Sequence, residues 1–147
     1  MNNNSFMSSD FMSSDDIRHR FSMAMSSMYQ AEVPLYGDLI DLVTDVNTKV
    51  LAAQPDLKAQ LEHTGEMDRL SMERHGAIRV GTAAELSMMR RLFAVMGMYP
   101  VGYYDLAPAG VPVHSTAFRA TDAASLSKSP FRVFTSLLRL DLIGDET

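Results

Sequence analysis

"ERHGAIRVGTAAEL", Glu73 to Leu86, is the stretch on which the fold of this chain turns. Read as a strand, it sets His75, Ala77 and Arg79 on one face and Gly76, Ile78 and Val80 on the other. Gly81 then breaks the alternation. Thr82 and Glu85 follow at capping-box spacing, in which each side chain satisfies the other's end of a helix backbone. A strand handing over directly to a helix is the start of a β-α unit. One strand face is plainly apolar, whereas the other offers an imidazole and a guanidinium. That second face is either a solvated surface or the wall of a site.

Working outward toward the C-terminus, the helix opened by Thr82 carries Leu86, Met89, Phe93 and Met96 inward and stops near Gly97. "PVGYYDL" (100–106) and "GVPVHSTAFRA" (110–120) read as the second and third strands, separated by a turn at Pro108–Gly110. A short helical connector spans Asp122–Ser127. "FRVFTSLLRLDL" (131–142) reads as a long last strand in which Leu138, Leu140 and Leu142 alternate with Arg139 and Asp141. The order strand, helix, strand, strand, strand is one βαβββ module over residues 72–143, a curved mixed sheet with one main helix.

Toward the N-terminus the pattern is helical over residues 15–71, so the fold class is α+β. Asp15 and Asp16 suit the positive end of a helix dipole, and Ile17, Phe21, Met25 and Met28 recur at helical spacing. Pro34 opens a second helix with the stripe Leu35, Leu39, Leu42, Val43, Val46 and Val50, which Pro55 ends. A third runs from Asp56 to His63 and closes at Gly65. Residues 1–14, with "FMSSD" in tandem, read as a disordered tail, and residues 144–147 as a second tail.

Composition bounds the chemistry. The chain has 147 residues, 46% of them hydrophobic, enough for one core, and its net charge of −5 comes with scattered basic residues that mark no nucleic-acid footprint. Without cysteine there are no disulfides or thiolate metal sites, which leaves histidine and carboxylates as the strong ligands. No secretory signal and no membrane-length apolar run is visible, so a cytoplasmic protein with no membrane partner is expected.

A lone βαβββ sheet leaves an open face that calls for a partner, and paired modules would enclose a cup lined by their first strands. His75 and Arg79 would then point inward, their Cα atoms about 13 Å apart along an extended strand. A metal-bound imidazole and a guanidinium gripping a substrate carboxylate through two hydrogen bonds fit that spacing. A hydrogen-bonded strand histidine and a surface arginine fit it as well.

The blocks "ERHGAIRVGTAAEL", "RLFAVMGMYPVGYYDL", "AGVPVHSTAFRA" and "SPFRVFTSLLRLDLI" resemble the amino-terminal part of the 2-oxoadipate dioxygenase/decarboxylase family, from about Asp15 to Ile143. The resemblance implies a fold related to the vicinal-oxygen-chelate superfamily. It also implies an Fe(II) enzyme of lysine degradation that converts 2-oxoadipate and O2 to 2-hydroxyglutarate and CO2. On the "RHGAIR" block it assigns His75 as one member of a two-histidine, one-carboxylate metal site and Arg79 as the ligand of the substrate carboxylate. The family's other metal ligands lie beyond "LIGDET", so the resemblance also implies a chain inactive alone.

A non-catalytic reading stands beside it: a small-acid-binding module, or a homodimer pairing through the open sheet. His114 and Thr116 share one face of the third strand, where a structural hydrogen bond is the expected role. Tyr103 and Tyr104 point to opposite faces, one of them toward the core. His19 and His63 read as solvated or capping, and Asp38, Asp41 and Asp45 as a soluble surface.

Overall fold

A computed structural model of the chain describes residues 11–143. The first "FMSSD" copy and residues 144–147 therefore lie outside the described residues, and with them most of both expected tails. Among the described residues, five α-helices and a four-stranded sheet follow in the order α1 (Ser14–Glu32), α2 (Pro34–Ala53), α3 (Pro55–Thr64), β1 (His75–Val80), α4 (Ala83–Val95), β2 (Tyr99–Asp105), β3 (Val113–Arg119), α5 (Ala123–Lys128) and β4 (Arg132–Leu138). The order β-α-β-β-β read from the sequence is the order observed. Helix α1 starts within the stretch expected to be tail: the Ser13 hydroxyl accepts from the Asp16 amide at 3.1 Å and caps it.

The strands lie in the order β1-β4-β3-β2, with β1 parallel to β4 and the other neighbours antiparallel. The sheet is mixed because α4 carries the chain from one edge strand, β1, to the other, β2. Helix α4 begins with the full capping box at Thr82 and Glu85 and ends before Gly97, whose φ of 66° suits a residue without Cβ.

Register assigns every strand residue to a face. Ile78, Thr135, Thr116 and Tyr103 are cross-strand partners on one side; Ala77, Phe134, Ala117 and Gly102 are partners on the other. The first side is covered by α1 and α4. There Phe93, Phe118, Phe131, Val133, Met96, Met98 and Met25 are buried together, with Ile17, Phe21, Ile78, Leu86 and Met89 packed around them. Phe93 stacks at a tilt on Phe118, centroids 5.0 Å apart, and Phe21 meets Phe93 and Phe131 edge-on at 6.3 and 6.1 Å. Helix α1 thus belongs to the module's core rather than to a separate helical segment.

Three expectations are corrected. The last strand ends at Leu138, and Leu140–Leu142 form a 3-10 turn with Leu140 and Leu142 exposed. The partner runs out: Leu138 pairs with Val113, the first residue of β3, and the preceding Pro112 has no N–H to continue the ladder. In α1 the inward stripe continues to Tyr29 and not to Met28, which is exposed. Tyr103 and Tyr104 do take opposite faces, but neither is core, at 61% and 48% exposure.

Helix α2 has no buried residue. Its aliphatic stripe stays exposed, with Leu39 and Val43 bordering a cleft toward α1 and β1, while Tyr36, Ile40 and Leu51 are partly buried. No helix among the described residues is long and apolar enough to cross a membrane.

Candidate functional site

His75, Ala77 and Arg79 sit on the open side of β1, all three exposed, while Gly76 and Val80 are buried on the covered side. The alternation read from "HGAIRV" is therefore the alternation observed. Gly76 permits it, because an added Cβ would lie 2.8 Å from Phe131 Cζ and 3.0 Å from Met25 Cε. At this position the core comes so close to β1 that the inward residue has to be this small.

Across the open side, His75 is in register with Arg132, Ala77 with Phe134, and Arg79 with Ser136. Ser136 pairs in turn with Ser115, and their hydroxyls are 3.4 Å apart. Tyr104 leans over this face toward Phe134, with ring centroids 6.2 Å apart. The open side is thus a small-residue floor, with an apolar rim on Phe134 and Tyr104 and two cationic or titratable groups along β1.

At the start of β1 the floor meets a cleft of about 440 Å³ lined by Tyr29, Val33, Tyr36, Glu73, His75, Gly76, Ala77 and Phe134. A second cleft of about 510 Å³ lies on the other side of Tyr36, Glu73 and His75 and runs along Ile40 and Val43 of α2. Arg79 borders neither cleft and stands farther along the open strand.

Tyrosines from α1 and α2 hold the edge strand in place. The Tyr29 hydroxyl donates to the Ala77 carbonyl at 2.6 Å and accepts from the Ala77 amide at 3.1 Å, so it occupies the free edge of β1 as another strand would. The Tyr36 hydroxyl donates to the Glu73 carboxylate. Burial, and then that hydrogen bond to a carboxylate, push the Tyr36 phenol up to about 12. The other Glu73 oxygen accepts from the backbone amides of Arg74 at 3.2 Å and His75 at 3.4 Å. Glu73 therefore ties the backbone at His75 to α2. Sequence reasoning assigned no role to Tyr29, Tyr36 or Glu73. The available signal was a carboxylate immediately before a strand, which offers an acceptor to the first strand amides.

His114 lies on the opposite side of the sheet from His75. Its Nδ1 is 2.5 Å from the Tyr103 hydroxyl, and its Nε2 is 3.1 Å from Asp105 Oδ1 and 3.2 Å from Arg139 Nη1. A structural hydrogen-bonding role is what the sequence led us to expect there. Among the described residues no three histidine or acidic side chains converge as a metal-holding group. His75 offers one exposed imidazole, a suitable nitrogen donor for a first-row transition metal, but no group of three such ligands forms around it among the described residues.

Comparison with known proteins adds the wider context. A family profile described as 2-oxoadipate dioxygenase/decarboxylase matches residues 21–147. A 2-oxoadipate dioxygenase/decarboxylase of Pseudomonas putida is 65% identical over 136 residues, covering 92% of this chain and 29% of its own length. One of Escherichia coli is 63% identical over 135 residues, covering 92% and 30%. In solved structures, the hydroxyglutarate synthase of Pseudomonas putida in complex with 2-oxoadipate superposes with a TM-score of 0.84 at 65% identity, covering 93% of this chain and 30% of that one. The chain thus spans about 30% of the length of the curated relatives it matches.

Proposed function

Because this chain belongs to the 2-oxoadipate dioxygenase/decarboxylase family, we propose that it supplies one wall of an enzyme that converts 2-oxoadipate and O2 to 2-hydroxyglutarate and CO2. The observation that carries the reading is the shared exposed face of His75 and Arg79 on β1, beside a cleft large enough for a dicarboxylic acid. On this reading His75 is one nitrogen ligand of Fe(II), and further ligands come from outside the described residues. Bound Fe(II) would supply Lewis acidity and the redox chemistry that couples O2 to loss of a carboxylate as CO2.

The chain's own residues have three tasks. Arg79 grips a substrate carboxylate through two parallel N–H donors, which fixes the direction in which the acid lies along β1. Ala77 and Phe134, in register between the two ends, give the methylene chain an apolar bed and keep water away from it. Glu73, held by Tyr36, keeps the backbone at His75 in place. The role in lysine degradation, a cytoplasmic setting and a cup completed by a second module belong to the same proposal.

The test is a family-length polypeptide in which these 147 residues replace the matched part of the Pseudomonas putida relative. It is expected to release CO2 from 2-oxoadipate in an O2-dependent reaction. His75→Ala should lose both bound iron and turnover. Arg79→Lys should keep the iron while KM for 2-oxoadipate rises tenfold or more, since a point charge replaces a two-pronged donor. A His75→Ala protein with full iron content and activity would refute the assignment.

A further inference from the structure

Helix α2 breaks the rule that an amphipathic helix turns its apolar stripe toward the core. Leu35 is 76% exposed, Leu39 52%, Leu42 60%, Val43 46%, Val46 49% and Val50 40%. These six recur at three-, four- and seven-residue intervals on one side of the helix, the spacing by which a helix seats in an apolar groove. The partly buried Tyr36, Ile40 and Leu51 lie on the neighbouring side, and only Leu39 and Val43 of the stripe border the cleft between α2 and the rest of the described chain.

We propose that this stripe is a docking surface for the portion of a family-length polypeptide that lies outside the matched region. The relatives argue for this occupant. The solved Pseudomonas putida structure contains this fold with a TM-score of 0.84, yet the matched part is only 30% of that chain, which leaves more than twice this chain's length to pack against it. Charge argues against a second copy as occupant. Asp38, Asp41 and Asp45 follow one border of the stripe, and antiparallel self-pairing would set these carboxylates against one another. The docked portion should meet that border with basic side chains. Its contact is the same whether it is joined to this chain or separate, and it does not depend on the iron and substrate roles proposed for His75 and Arg79.

The chain has no cysteine, so a single thiol reports this face cleanly. Leu42→Cys is labelled with a thiol reagent, and modification at position 42 is followed by peptide mass spectrometry. The 147-residue chain and the family-length hybrid with the Pseudomonas putida remainder are compared. Labelling is expected to be fast and independent of protein concentration in the short chain, and at least tenfold slower in the folded hybrid. Equal rates in both would overturn the proposal. So would labelling of the short chain that slows as its concentration rises, because a second copy would then be the occupant. The same substitution at the aligned position of the Pseudomonas putida relative keeps the test decisive if the hybrid does not fold: fast labelling there overturns the proposal, and slow labelling supports it. Leu42→Asp in the short chain should leave the melting temperature unchanged, and a marked fall would show that the stripe already belongs to this chain's own core. None of these measurements reads activity.

Discussion

A hydrogen atom is all the side chain that position 76 admits. A methyl group there would sit 2.8 Å from the ring tip of fully buried Phe131 and 3.0 Å from Met25. Gly76→Ala must push β1 outward or shift a packed aromatic ring, and over-packing of that kind costs about 1–3 kcal/mol. Urea unfolding should show the loss, and an unchanged midpoint would mean that the strand has room the packing denies it. One residue earlier, His75 is exposed and touches no core, so its neighbour and not the imidazole itself sets where it sits. Tyr36 is the second residue with a definite prediction. Its phenol is held at about 12 in the fold, chiefly by burial and then by the hydrogen bond to Glu73, against an ordinary value of 10.0. A group whose folded value is raised stabilises the fold fully below its unfolded value, and that contribution is lost as pH rises from about 10 through 12. Stability measured across this window should fall in the wild-type chain, and Tyr36→Phe should flatten that fall. An identical alkaline profile in both proteins would rule out the coupling.

At the scale of elements, Arg18 is a fastener to which sequence reasoning assigned no role. It is fully buried. Its guanidinium donates to the carbonyls of Met96 at 2.9 Å, Ser129 at 3.1 Å and Ser125 at 2.7 Å, and to Asp15 at 2.8 Å. Met96 and Ser129 are the C-terminal caps of α4 and α5, so one side chain of α1 collects carbonyls that those helices leave unpaired. Arg18→Met would fill similar volume but strand those buried carbonyls, while Asp15 keeps Lys128 at 3.3 Å, at a cost of about 3 kcal/mol. Equilibrium unfolding checks this, and a loss below the scatter of surface substitutions would contradict it. Nothing in the local pattern distinguishes such an arginine from a solvated one, because its partners are far away in sequence. The overlong last strand failed for a related reason. Leucines alternate to residue 142, but a strand lasts only as long as its partners: the Arg139 amide still donates to the Pro112 carbonyl at 2.8 Å, and Pro112 has no N–H to return.

For the molecule as a whole, acid response joins scattered groups. Burial tends to raise the Asp15 carboxyl, but its hydrogen bonds with Arg18, Ser125 and Lys128 outweigh that and hold it below the usual value. Hydrogen bonds likewise lower Asp16 through Ser13, Glu85 through Gly81 and Thr82, Asp122 through Ser125 and Asp141 through Arg139. Each of these folded values is depressed, so the stability they contribute is present above about pH 4 and is lost as pH falls through the folded values. A stability profile should be level from neutrality to about pH 5 and then decline, and Asp15→Asn should shrink the decline. A profile that keeps its full stability down to pH 2 would disprove the linkage.

Much of this architecture was legible from residue order. Alternation in "HGAIRV", the capping pair Thr82 and Glu85, and the apolar spacing in α4 are local signals, each set within a few residues by backbone geometry. They were enough to place the βαβββ order and to put His75 and Arg79 on one face. Tertiary structure alone decided what those faces meet. It put α1 into the core, set Tyr29 on the free edge of β1, buried Arg18 among distant carbonyls and left the most apolar side of α2 open. The physical reason is range: periodicity determines which side chains share a face, but burial depends on which distant segment arrives to cover it.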